Sequence, residues 1–153
     1  MRINFKTMTV RACVFLLPVI LACSCSPSRN SGGEVPPVVG AGLETYRTNG
    51  LSSAYKVWAN RGPLESDTSA RDNFVIGLEK VQTVYGKVMG YEIVKVVKVS
   101  SSVRRVYAVV QYEKAPVYAS FDCYRPGDKW YVTDLLFHTK VNMVFPPSLL
   151  DGR

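Results

Sequence analysis

The chain has 153 residues, 47% of them hydrophobic and 20% charged, which suits one ordinary globular domain plus a processed segment and leaves no room for a second domain. Its formal charge is +7, but setting aside Arg2, Lys6 and Arg11 in the leading segment leaves 16 Lys and Arg against 12 Asp and Glu, or +4. The remaining cations are scattered, with Arg104-Arg105 the only adjacent pair, and that dispersal argues against the clustered footprint of a nucleic-acid binder.

Three cations and no acid precede an apolar run from Ala12 to Ala22, the charge order of a secretory signal peptide. That run holds eleven residues and a proline, whereas a bilayer-spanning helix needs about 20 apolar residues. Export is the expectation, with residues 1–22 as the leader. The residues Ile20-Leu21-Ala22-Cys23 resemble the lipobox of bacterial lipoproteins, in which the cysteine sulfur is acylated and the chain is cut just before it. The resemblance implies that Cys23 is the mature, lipid-carrying N-terminus and that the protein sits in the cell envelope. Ser24 after it implies the outer membrane where the source has two. A plain signal peptide cut after Ala22 is the alternative.

Residues 23–40 are rich in Ser, Gly and Pro and read as a tether. The folded part is expected over 41–147, with 148–153 as a tail. A short helix over Ser53 to Arg61 is stopped by Gly62-Pro63. A longer one, capped by Ser69 and closed by Gly86, carries Phe74, Leu78, Val81 and Tyr85 on one face.

From Tyr91 the period changes to two, and four strands follow: Tyr91 to Ser100, Val103 to Glu113, Val117 to Tyr124 and Lys129 to Thr139. The turns between them are short, so neighbours pair antiparallel as a meander. Helices followed by strands give an α+β fold. By parity Val106, Ala108, Val110 and Tyr112, then Val117, Ala119, Phe121 and Cys123, then Trp130 and Val132 face the helices. After Asp134 the apolar parity slips to Leu135 and Phe137, which predicts a β-bulge. Trp58, Phe74, Leu78, Phe121 and Trp130 are expected to share one core.

This element order, with Tyr85-Gly86 closing the long helix, Gly90-Tyr91-Glu92 opening the sheet and Gly127-Asp128-Lys129-Trp130 in the last hairpin, resembles the nuclear-transport-factor-2-like (NTF2-like, cystatin-like cone) superfamily over about residues 42 to 145. The resemblance implies helices packed on a curved four-stranded sheet that encloses a cone. It also implies dimerisation through the sheet, and it admits enzymes such as ketosteroid isomerases beside non-catalytic modules.

Catalysis in such a cone would need a carboxylate base facing tyrosine donors. Asp134, on the Trp130 parity, is the candidate base, with Tyr55 and Tyr85 as pocket tyrosines. An exposed Asp134 beside the bulge is the alternative, since acids are rarely buried unpaired. His138, the one histidine, points out of the core past the bulge. No metal or cofactor is expected, because the mature chain has one His and no Cys-x-x-Cys. Cys123 is expected to pack as a small hydrophobe, in preference to a disulfide with Cys25.

The opposite parity turns Arg105, Tyr107, Val109, Tyr118, Tyr124 and Tyr131 outward, a tyrosine-rich face of the kind found at protein interfaces. Lining a half-exposed sheet is the bland alternative. The resulting expectation is a membrane-anchored, non-catalytic interaction or assembly module that pairs with a second copy or an envelope protein. A small-molecule-binding or isomerase-like enzyme is the competitor, and a filled apolar interior would favour the interaction module over it.

Overall fold

A computed structural model describes residues 33–151. Helices α1 (Pro37–Asn49), α2 (Leu51–Ala59) and α3 (Thr68–Tyr85) precede strands β1 (Val88–Lys98), β2 (Val103–Tyr112), β3 (Pro116–Tyr124) and β4 (Tyr131–His138), and a short α4 (Pro147–Leu150) ends the chain. The four strands form one antiparallel sheet in the order β1-β2-β3-β4. The fold is α+β, as the sequence predicts.

The first helix starts at Pro37, ahead of the expected Ala41, so residues 37–40 belong to the domain and not to a tether. Proline lacks the N–H that a first helical turn leaves unpaired anyway, and its fixed φ suits that position. Pro36 before it is extended, with φ −55° and ψ 125°, as a residue preceding proline must be. Val39, Leu43 and Tyr46 then fall on one buried face.

Gly50 alone separates α1 from α2. Its φ of 85° is a left-handed value that other residues reach only at a cost, and it reverses the chain there. The second helix begins at Leu51 and ends at Ala59, offset from the expected Ser53 to Arg61. Arg61 takes φ 56°, which no right-handed helix accommodates. The cap of α3 is Asp67, whose carboxylate accepts the Ala70 N–H at 2.8 Å; the expected Ser69 lies inside the first turn. The anticipated face of α3 does turn inward, with Leu78 buried and Phe74, Val81 and Tyr85 half-buried against the core.

Parity in the sheet holds. Val106, Ala108, Val110, Tyr112, Val117, Ala119, Phe121, Cys123 and Val132 are all buried. The slip in β4 is a bulge at Thr133: Asp134 pairs with Asp122 and Val132 with Cys123, so Thr133 is the extra residue. Its hydroxyl donates to the Asp122 carbonyl at 3.2 Å. Leu135 and Phe137 thereby return to the side of Phe121 and Ala119. A second irregularity in β1, between Ile93 and Lys95, leaves Val94 as an extra residue.

Trp58 is the centre of the core. It is fully buried, its indole N–H donates to the Val39 carbonyl at 3.4 Å, and its ring lies 5.3 Å from Phe121 and 5.7 Å from Phe137. Gly42 of α1 makes this possible, because a Cβ there would sit 1.9 Å from the indole nitrogen. Trp130 joins this core, as expected, but only at its margin. It lies just before β4, half-buried at the edge of the same core.

Candidate functional site

The outward face of the sheet is the candidate site, and the structure divides it in two. Past β4 the chain makes a 3-10 turn at Val141–Met143, and Val144, Phe145 and α4 fold back across the sheet. The Phe145 ring stands edge-on to Tyr107 and to Tyr118, with centroids 5.6 and 5.4 Å away. Tyr107 is therefore only 6% exposed. Val94, Val109, Tyr118 and Leu149 pack around the same small cluster. The expectation that Tyr107 and Tyr118 stand open to a partner is corrected: the chain's own segment around Phe145 occupies them, and Leu149, from the expected tail, is part of that cover.

The other half of the face is uncovered. Arg105 there forms a two-pronged pair with Asp122 across β2 and β3, Nε to Oδ1 and Nη2 to Oδ2 both at 2.5 Å. Being half-exposed, such a pair contributes about 0–1 kcal/mol to stability, so its fixed geometry matters more than its energy. Around it stand Leu136 and Tyr124, each 42% exposed, with Tyr131 half-buried beside Tyr124 and Val97 at its rim. Asp134 lies opposite Asp122 on this same surface. Tyr124, Tyr131 and Arg105 are thus brought together as the sequence suggests.

The proposed pocket trio is not brought together. The bulge at Thr133 turns Asp134 outward, away from the helices, and its carboxylate is exposed. Tyr55 is buried among the helices, its hydroxyl donating to the Leu64 carbonyl at 3.3 Å and its ring packed on Phe74. Burial raises its pKa. Tyr85 meets the edge of Tyr112 with centroids 6.2 Å apart. The depression beside Tyr55 is lined by Lys56, Ala59, Glu65 and Arg71, and by neither Asp134 nor Tyr85.

The space between helices and sheet is filled by rings. Tyr46, Trp58, Phe121, Phe137 and Phe74 follow one another in edge or tilted contact. Within it the Tyr46 and Tyr112 hydroxyls hydrogen-bond to each other, and burial raises the pKa of both, that of Tyr46 well above the ordinary tyrosine range. Sequence reasoning missed Tyr46, although its spacing from Val39 and Leu43 after Pro36-Pro37 was a usable signal.

Cys123 is buried in the sheet's inner face, and desolvation pushes its thiol up to about 12. Cys25 and Cys23, the residue expected to carry lipid, both lie outside the described residues. His138 is half-buried at the end of β4, where its Nδ1 accepts the Lys140 N–H at 2.9 Å. It borders a shallow depression of about 360 Å3 against Phe74, Leu78 and Phe137. No helix among the described residues is long and apolar enough to cross a membrane.

No family model, curated protein or solved structure matches the chain.

Proposed function

We propose that this chain is a lipid-anchored cell-envelope protein, held by an acylated Cys23, whose NTF2-like domain binds a protein partner through the open half of its sheet. Where the source has two membranes, the outer one is its place. The observation that carries this reading is the contrast between interior and face. The interior, where a cone-type enzyme would hold its substrate, is occupied by Trp58 and the rings of Phe121, Phe137 and Tyr46. The outer face keeps Leu136 and Tyr124 uncovered beside an ordered Arg105–Asp122 pair. Exposed apolar side chains around an arginine whose fork is already held in place suit protein recognition, because little ordering remains to oppose binding.

The anchor is tested by mass spectrometry of the mature N-terminus. Acyl groups on residue 23 are expected, and a lipid-free N-terminus refutes the anchor. The face is tested by placing a photo-crosslinking residue at Leu136 in cells, with Leu136→Glu as the competing variant. A discrete crosslinked species that Leu136→Glu abolishes is expected. Absence of any crosslinked species, or one that Leu136→Glu leaves unchanged, refutes the face.

A further inference from the structure

The fold gathers cations that the sequence scatters. The β1–β2 and β3–β4 turns lie at one end of the sheet and are joined where the Arg125 N–H donates to the Ser102 carbonyl at 2.8 Å. Lys98, Arg104, Arg125 and Lys129 stand at this end, and Arg61 lines a depression of about 450 Å3 together with Lys129 and Trp130. Asp128 lines the same depression, Glu65 accepts the Arg61 N–H at 3.0 Å, and Glu34 lies beside Arg104. Two guanidinium groups lie over the Trp130 ring, Arg104 at 4.8 Å and Arg125 at 5.0 Å from its centroid. Val99, in the adjoining turn, is 64% exposed. A half-exposed indole and an exposed valine set among Arg and Lys suit the level where lipid headgroups meet hydrocarbon.

The same end receives the N-terminal segment. Arg104 donates to the Glu34 carbonyl, and a Cβ on Gly33, the first described residue, would lie 3.8 Å from Val96. Ten residues lead back from Gly33 to Cys23, a chain that spans at most about 36 Å when fully extended. An acyl anchor at Cys23 therefore keeps this end within about 36 Å of the bilayer.

We propose that the hairpin end docks on an anionic lipid surface, with Trp130 and Val99 at headgroup level and Lys98, Arg125 and Lys129 against lipid phosphates. This rests on the reading of Cys23 as acylated. The test uses the full acylated chain inserted into vesicles of phosphatidylcholine, with or without phosphatidylglycerol. Flotation reports the anchor, and quenching of tryptophan emission by headgroup spin-labelled lipid reports the docking. Trp58, fully buried, supplies the internal reference, and Trp130→Phe shows which emission responds.

At least twofold stronger quenching in the anionic vesicles is expected, falling to the neutral-vesicle level in Lys98→Glu/Lys129→Glu, which still floats. A chain that floats with Trp130 unquenched overturns the docking, and so does quenching indifferent to phosphatidylglycerol and to the charge reversals. Loss of acrylamide access to Trp130 in whole envelopes but not on vesicles identifies a protein occupant and also overturns it. A chain that does not float refutes the anchor alone. Titrating the free chain with anionic vesicles then reads the docking, and an unchanged Trp130 emission overturns it.

Discussion

Phe145 sets the edge of its ring against Tyr107, 5.6 Å between centroids and at 77°, and this contact decides which half of the sheet's outer face a partner can reach. The cover is local in sequence to the C-terminus and remote from everything it covers.

Removing that ring should therefore loosen the cover without dissolving the sheet. Phe145→Ala is expected to cost about 3 kcal/mol, the low end for truncating a buried phenylalanine, because the segment can partly collapse onto the vacated space. Urea denaturation gives the energy. Hydrogen exchange should quicken at 141–150 while β2 and β3 stay protected. A loss under 1 kcal/mol, on the order of a surface change, would show that the segment does not seal the face.

The sheet was legible and its cover was not, for a physical reason. Strand parity depends only on local alternation, so the inner rows from Val106 to Val132 and the bulge ahead of Leu135 can be read from residue order alone. Phe145 sits between Val144 and Pro146 with no period around it, and only a three-dimensional contact assigns it to Tyr107. The start of α1 was misplaced because Pro36-Pro37 resembles a breaker, while proline in a first turn is also a helix starter. Of the two readings open for Asp134, the exposed residue beside the bulge is the one found, because the extra residue is Thr133, one position ahead of where a parity count begins to slip. Trp130 packs on the core but at its edge, just before β4, where Arg104 and Arg125 lie over its ring.

The hydroxyl pair of Tyr46 and Tyr112 gives a non-additive cycle. Tyr46→Phe or Tyr112→Phe alone leaves one buried hydroxyl unpaired, at a cost of about 1–3 kcal/mol, whereas replacing both by phenylalanine removes the unmet demand and is expected to be near neutral. The double variant should thus be more stable than at least one of the singles by chemical denaturation. Additive losses would mean that water satisfies each hydroxyl separately.

The same pair sets an alkaline limit. Burial raises both tyrosines above the ordinary tyrosine pKa of about 10. Above that pH the unfolded chain loses these protons while the folded chain keeps them, so stability falls as pH rises. The contribution is full below pH about 10 and is lost progressively as pH climbs from there toward the raised folded values. Denaturation midpoints of the wild type should decline from about pH 10 upward, and the double phenylalanine variant should decline less steeply. Parallel alkaline slopes in the two proteins would remove these tyrosines as the cause.

One substitution made in two helices should have opposite signs. Alanine exceeds glycine in helix propensity by about 1 kcal/mol in a helix interior, so Gly77→Ala in α3, where a new Cβ meets nothing within 4 Å, is expected to stabilise by about that amount. Gly42→Ala in α1 carries the same backbone gain, but its Cβ would lie 1.9 Å from the Trp58 indole nitrogen and 2.3 Å from Cδ1. Trp58 has no free volume to yield, being fully buried between Tyr46, Phe121 and Phe137. The helix or the indole must move, and the Nε1 bond to Val39 is lost with either movement. A net loss of about 3 kcal/mol, the upper part of the overpacking range, is the expected result, together with a red shift of Trp58 emission. Gly42→Ala as stable as wild type would mean that α1 slides freely over the indole, and the central place given to Trp58 in this core would fall with it.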